Sequence, residues 1–162
     1  MFTLETSTEV AVAPDQAFLW LSDLGNLPKW QTGVFRSEII TPPPMRVGTR
    51  FRETFRVMGL RMTAECEVTA LTAPRTFGFT ADGPQMAYRS EISFEPVRGG
   101  TKITGRSAAR MRGLWRLLEP LVKAESRREG AAEFARLKAA MEADYAIGTA
   151  PSFDAGPTPT PA

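Results

Sequence analysis

The sequence is most informative between residues 50 and 67, which read RFRETFRVMGLRMTAECE. Apolar and polar side chains alternate before and after Gly59, and this period of two is typical of β-strands. A two-residue turn at 58–59 brings apolar residues opposite each other on one face and mostly opposite charges on the other, with Arg56–Arg61 as a like-charged exception. The pairs are Val57–Leu60, Phe55–Met62, Phe51–Cys66, Arg52–Glu65 and Arg50–Glu67. The stretch therefore predicts an antiparallel hairpin.

Similar segments continue on both sides of the hairpin. Breaks rich in proline and glycine divide the chain into short strands, which we place at 34–41, 48–58, 60–71, 75–82, 85–97 and 100–111. Residues 2–12 alternate in the same way and predict a first strand. Pro14 then opens a short helix, because proline is tolerated at the first helical position, and residues 27–30 suggest a second helical turn.

Residues 114–145 predict one long C-terminal helix. Its apolar stripe changes side near Gly130, so we expect either a bend there or two halves with different contacts. Residues 147–162 are rich in proline, threonine and alanine and predict a disordered tail. The predicted domain therefore spans residues 1–146.

This order of elements, together with several short motifs, resembles the START/Bet v 1-like (SRPBCC) superfamily and its polyketide cyclase/dehydrase-like branch. The motifs are VAPDQAF (12–18), LSD (21–23), LPKW (27–30), EV (67–68) ahead of APR (73–75), and FEP (94–96) ahead of GGTKIT (99–104). The resemblance implies an α+β helix-grip fold. In it, a seven-stranded antiparallel sheet curves around the long C-terminal helix, and two short helices follow the first strand.

Composition excludes several kinds of site. The 162 residues contain no histidine and one cysteine, Cys66, which removes histidine-based triads and most zinc sites. We therefore expect no metal and no cofactor. A single cysteine cannot form an internal disulfide, and this is compatible with a cytoplasmic location. No apolar run reaches the ~20 residues that span a bilayer, and the N-terminus does not resemble a signal peptide.

The charge pattern favours a small-molecule ligand over a nucleic acid. The net charge is +2, and the arginines near the last strand alternate with small residues, so a solvated face explains them better than a nucleic-acid surface. The oligomeric state stays open between monomer and homodimer.

The resemblance implies that the concave sheet face and the long helix line a pocket, and the alternation of side chains then selects the inward residues. The candidates for ligand binding are Phe51, Glu53, Phe55, Met62, Cys66, Phe77, Met86, Tyr88, Ser90, Ser107, Leu118 and Leu121. A largely apolar set with a few polar groups is typical of a site for a small hydrophobic molecule. The alternative is that these side chains simply fill a core.

Two of these residues are catalytic candidates. A carboxylate such as Glu53 among aromatic residues would have a raised pKa and could act as an acid or base, although it could equally lie at a solvated edge. Tyr88 could bind a ligand oxygen or satisfy a core partner. Glu125 could face the cavity or pair with Arg128 one turn along the helix.

Three functions remain open. The first is a carrier or sensor for a lipid-, polyketide- or quinone-like molecule. The second is a metal-free aromatase/cyclase- or dehydratase-like enzyme that uses Glu53 and Tyr88. The third is a protein-interaction module that uses the same pocket.

Overall fold

A computed structural model describes residues 1–57 and 59–146 of the chain. The strands are β1 (Phe2–Val10), β2 (Val34–Ile39), β3 (Arg50–Val57), β4 (Leu60–Thr72), β5 (Thr76–Asp82), β6 (Met86–Val97) and β7 (Gly100–Met111). The helices are α1 (Pro14–Ser22), α2 (Leu27–Trp30) and α3 (Glu119–Ala146), with 3₁₀ turns at Leu24–Asn26 and Gly113–Leu118. The tail predicted at 147–162 lies outside the described residues.

The strands form one curved antiparallel sheet in the order β1-β7-β6-β5-β4-β3-β2. Each strand from β2 to β6 pairs with the next strand along the chain, and β1 pairs with β7. Two short helices follow β1, and the long helix α3 comes last. The predicted helix-grip fold is confirmed.

The hairpin register predicted from residues 50–67 is also confirmed. Phe51 lies opposite Cys66 and Arg52 opposite Glu65, as the alternation requires. Glu65 forms salt bridges with two arginines of the outer face, Arg50 at 2.5 Å and Arg52 at 2.9 Å. Gly59 has a φ of +82°, a backbone conformation that L side chains rarely adopt. The tight turn therefore depends on that glycine.

The two halves of α3 contact different parts of the molecule. The C-terminal half buries Phe134, Leu137 and Met141, whereas residues from Val122 to Gly130 lie over an open space described below. The helix approaches the sheet closely near Gly130, where its two halves meet. A Cβ on Gly130 would lie 3.1 Å from Thr6 Oγ1, and a Cβ on Gly105 would lie 2.6 Å from the Phe134 ring. The glycines there serve close packing.

Polar contacts fasten the C-terminal half of α3 to the short helices. Asp144 accepts a hydrogen bond from Trp20 Nε1 at 2.8 Å and pairs with Lys29 at 2.6 Å. The Tyr145 hydroxyl donates to the Gln16 carbonyl at 2.7 Å. This end of the molecule forms the packed core, so the space for a ligand lies under the N-terminal half of α3. Among the described helices, none is long and apolar enough to cross a membrane.

Candidate functional site

A cavity of about 630 Å³ lies between the concave face of the sheet, the N-terminal half of α3 and the segment joining α2 to β2. This volume is in the range of small-molecule sites. Its apolar wall residues come from nearly every element of the fold: Phe2, Leu4, Phe35, Phe55, Met62, Met86, Ile92, Met111, Trp115, Val122 and Phe134. The wall is therefore built from side chains that lie far apart in the sequence.

Three hydroxyl groups lie together on the sheet side of the cavity. Ser90 on β6 is directly opposite Ser107 on β7, and Tyr88 is two residues before Ser90 on the same face. Burial raises the pKa of the Tyr88 phenol, and hydrogen bonding with both serines partly offsets that increase. The phenol is therefore neutral near pH 7, and the cluster can donate or accept hydrogen bonds.

The opposite wall is acidic. Glu125, Glu129 and Glu133 lie on successive turns of α3, and all three line the cavity. Glu133 is half-buried and accepts a hydrogen bond from the Thr32 backbone at 2.7 Å. Burial and the nearby charge of Glu129 raise the pKa of Glu133. Arg56 is the only cationic residue on the wall in the described parts of the chain.

Trp30 supplies an unused hydrogen-bond donor. The residue lines the cavity, is only 4% exposed and packs edge-on against Phe134, with ring centroids 6.1 Å apart. Its Nε1 is buried and has no hydrogen-bond partner among the described residues. A buried donor without an acceptor costs free energy.

The structure brings together six of the sequence-predicted site residues on the cavity wall, namely Phe55, Met62, Met86, Tyr88, Ser90 and Ser107. Phe51, Cys66 and Phe77 share the concave face but belong to the packed core, because α1, α2 and the C-terminal half of α3 fill that end. Leu118 and Leu121 are not wall residues, and Leu121 is 52% exposed. The helix presents Val122 and Ser126 to the cavity instead.

Glu53 is not among the residues of the cavity wall. It is 8% exposed, and its Oε1 has no hydrogen-bond partner in the described structure. Desolvation raises its pKa from 4.5 to about 7. The opposite residue on β2, Ser37, also has a buried hydroxyl without a partner among the described residues. Burial and the charge of Glu53 together raise the pKa of the Cys66 thiol, so that thiol is unreactive.

Several residues of the cavity wall were not predicted from the sequence. Val122, Ser126, Gly130 and Phe134 follow a spacing of four on α3, but two of them are small or polar, so the stripe gives little apolar signal. Trp30 lies in a helix of four residues, which is too short for periodicity to assign a face. The glutamates at 125, 129 and 133 do have helical spacing, and this spacing could have identified the face of α3 that lines the cavity.

Comparison with known proteins gives the family. The family model described as "Polyketide cyclase / dehydrase and lipid transport" matches residues 1–142. The chain belongs to this family. The superfamily resemblance that the motifs indicated is therefore confirmed. No curated protein matches the sequence.

Solved structures place the fold of this chain among Bet v 1-like proteins. TTHA0849 from Thermus thermophilus has a TM-score of 0.75 at 16% identity, covering 88% of this chain and 98% of that one. Zhui aromatase/cyclase from Streptomyces sp. R1128 has a TM-score of 0.75 at 15% identity, with coverage of 89% and 95%. Ara h 8.0201 has a TM-score of 0.66 at 17% identity, with coverage of 88% and 98%. At these identities the likeness shows the fold alone.

The family and the cavity together support a ligand-binding or cyclase role. An apolar enclosure binds hydrophobic molecules, and the hydroxyl cluster can orient them. The wall also holds two ionisable groups, Tyr88 and Glu133, and burial raises the pKa of both.

Proposed function

We propose that the protein binds a small apolar or aromatic molecule in this cavity and acts as a carrier or sensor. The observation that carries the proposal is the cavity itself, about 630 Å³ with side chains such as Phe55, Met62 and Phe134 on its wall. A solid core would leave few voids larger than a water molecule. The family's description includes lipid transport, which supports a carrier.

The expected binding energy comes from removing apolar surface from water. A ligand that buries roughly 200 Å² of apolar area gains about 5 kcal/mol at ~25 cal/mol per Å². Part of this is lost to ordering the ligand, so micromolar affinity needs a larger ligand or additional hydrogen bonds. The hydroxyls of Tyr88, Ser90 and Ser107 are placed to provide them.

Cyclase- or dehydratase-like catalysis is the second candidate. It is favoured by the Tyr88 phenol, which lies on the wall beside two serine hydroxyls and is influenced by the charge of Glu133. A positioned phenol can transfer a proton to a ligand carbonyl. Glu53 is less suitable, because it is not one of the described residues that line the cavity.

The test of binding uses an uncharged fluorescent probe, N-phenyl-1-naphthylamine, titrated against the purified protein. Phe55→Asp places a charge on the apolar wall, and we expect it to weaken probe binding at least tenfold. Val47→Asp is the matched control, because Val47 is 58% exposed and outside the wall. Far-ultraviolet circular dichroism of both variants checks that the fold is retained.

Equal probe affinity in wild type and Phe55→Asp, with the fold retained, would remove the proposal. A turnover assay separates the two candidates. If the protein converts a poly-β-keto thioester and Tyr88→Phe abolishes conversion while the probe still binds, then the carrier assignment fails and the enzymatic one stands.

A further inference from the structure

The 3₁₀ turn between β7 and α3 leaves large apolar side chains in solvent. Leu114 and Leu117 are 83% and 79% exposed, and none of the turn's six described residues is buried. Because a 3₁₀ helix has about three residues per turn, these two leucines project from the same side. Leu121 follows at the start of α3 and is 52% exposed. Three neighbouring leucines in water cost free energy and indicate an interaction surface.

A second apolar projection lies at the same end of the molecule. Leu60, directly after the turn of the β3–β4 hairpin, is 58% exposed, and Phe35 near the start of β2 is 51% exposed. Since the strands from β3 to β7 are antiparallel neighbours, the hairpin turn and the end of β7 lie at one end of the sheet. Gly59 in the hairpin turn and Trp115 in the 3₁₀ turn both line the cavity. The cavity therefore reaches the end that carries these exposed side chains.

Four arginines at this end have no carboxylate partner. Arg56 and Arg61 lie directly opposite each other in the hairpin, and a like-charged pair in this position is destabilising. Arg56 also lies over the exposed ring of Phe35, at 5.3 Å from its centroid. Neither this pair nor Arg110 and Arg116, beside the 3₁₀ turn, form salt bridges among the described residues. An anionic partner would compensate these charges.

The carboxylates at this end are already paired. Asp82 forms a salt bridge with Arg112 at 2.7 Å, and Glu119 forms one with the N-terminal amine at 2.7 Å. Glu125 and Glu129 lie further along α3, on its cavity side. Within the described part of the chain, the end that the cavity reaches is therefore both basic and apolar.

We infer that this end of the molecule docks on the surface of an anionic phospholipid bilayer, with the exposed leucines entering the interface and the unpaired arginines binding lipid phosphates. This inference goes beyond the proposed function and does not require the cavity to hold a ligand. Guanidinium groups bind phosphate oxygens in a bidentate geometry, and a fluid bilayer accepts separate apolar projections without a shaped groove. A second copy of the chain fits this surface less well, because it would bring unpaired arginines together.

The test is flotation of the full chain with lipid vesicles. One set contains phosphatidylcholine alone, and the other contains about 30% phosphatidylserine, which gives the surface a negative potential. We expect partition into the anionic vesicles to be at least about tenfold stronger than into the neutral ones. Raising the salt from about 0.1 M to about 0.5 M should remove most of that difference, because salt screens the attraction of the arginines for the lipid.

Two double variants test the apolar part of the surface. Leu114→Ser/Leu117→Ser should weaken partition into anionic vesicles at least about tenfold, because it removes the side chains that enter the interface. Ile40→Ser/Val47→Ser is the matched control. These residues are 45% and 58% exposed, but they lie in the loop joining β2 to β3, at the opposite end of β3 from Gly59. The control should bind within about twofold of wild type.

A second pair of variants separates the local charge from the net charge. Arg61→Gln/Arg116→Gln should weaken partition at least about tenfold, since each basic residue near an anionic surface contributes to binding. Arg75→Gln/Arg98→Gln changes the net charge equally, but these exposed arginines lie in the β4–β5 and β6–β7 turns, at the other end of the sheet. This control should weaken partition by no more than about threefold. Circular dichroism of every variant checks that the fold is retained.

Several results would overturn the inference. Equal partition into neutral and anionic vesicles, or no binding to either, would do so, and so would equal losses in a double variant and its matched control. Sedimentation velocity without vesicles gives a further check. A wild-type dimer that Leu114→Ser/Leu117→Ser dissociates, without any vesicle binding, would assign the surface to a second copy of the chain instead.

The proposed function is read out separately. None of the substituted residues is on the cavity wall, so N-phenyl-1-naphthylamine, titrated without vesicles, should bind all variants as it binds wild type. Absence of probe binding to wild type would count against the proposed function and leave the vesicle result valid.

Discussion

Replacing Glu53 by glutamine should change how the stability of the protein depends on pH. Glu53 is buried, and its pKa in the folded protein is about 7 instead of 4.5. As pH rises, the unfolded chain therefore loses this proton before the folded protein does. Folding then takes up a proton, so the free energy of unfolding falls as pH rises from about 4.5 to about 7.

The magnitude follows from that interval. One pH unit corresponds to about 1.4 kcal/mol for a single proton, so Glu53 lowers the free energy of unfolding by about 3 kcal/mol over the whole range. Glutamine cannot ionise and matches the shape of the protonated side chain. Glu53→Gln should therefore equal wild type near pH 4 and exceed its stability by about 3 kcal/mol at pH 8.

Urea unfolding, followed by circular dichroism at intervals between pH 4 and pH 9, measures this difference. Taking wild type minus variant cancels the contribution of Glu133, whose pKa burial also raises. Glu67→Gln on the exposed face of the same hairpin is the control and should leave the pH profile parallel to wild type. A difference between wild type and Glu53→Gln that stays constant over this range would refute the reasoning.

Three further substitutions test how α3 packs against the sheet and the short helices. Trp20→Phe removes the 2.8 Å hydrogen bond to Asp144 and should cost about 2 kcal/mol in urea unfolding; a cost below about 0.5 kcal/mol would show that this bond is unimportant. Leu137→Ala should cost about 2–5 kcal/mol, since Leu137 is fully buried, and an unchanged midpoint would mean that α3 does not anchor the core. Gly105→Ala places a Cβ 2.6 Å from the Phe134 ring, so it should cost about 1–3 kcal/mol and weaken probe binding; a variant with wild-type stability and affinity would contradict the close packing of that ring.

The fold could be predicted from the sequence because its signals are local. The alternation in residues 50–67 determined a register that the structure reproduces pair by pair, since a slip of one residue would expose every apolar side chain. The long helix was predicted within a few residues. Its first turn, Gly113–Leu118, is 3₁₀ rather than α, and a difference in hydrogen bonding at a helix end leaves no clear trace in the sequence.

The site was less predictable than the fold, because a cavity forms only where the helices do not pack directly against the sheet. Phe51 and Phe55 are indistinguishable by alternation, yet the first is in the core and the second lines the cavity. The helices that cover one end of the sheet decide this, and their position is a tertiary property. Alternation puts Glu53 on the same strand face as Phe51 and Phe55, but it does not determine which of the three line the cavity, and Glu53 is not on the wall.

The central claim is that the cavity holds a small apolar molecule, and mass spectrometry of organic extracts tests it most directly. Wild type and Phe55→Asp are purified from the protein's own cells under native conditions, extracted and compared. The account predicts a compound present at near one molecule per wild-type chain and strongly depleted from the variant. An absence of any compound enriched in wild type over Phe55→Asp would contradict it.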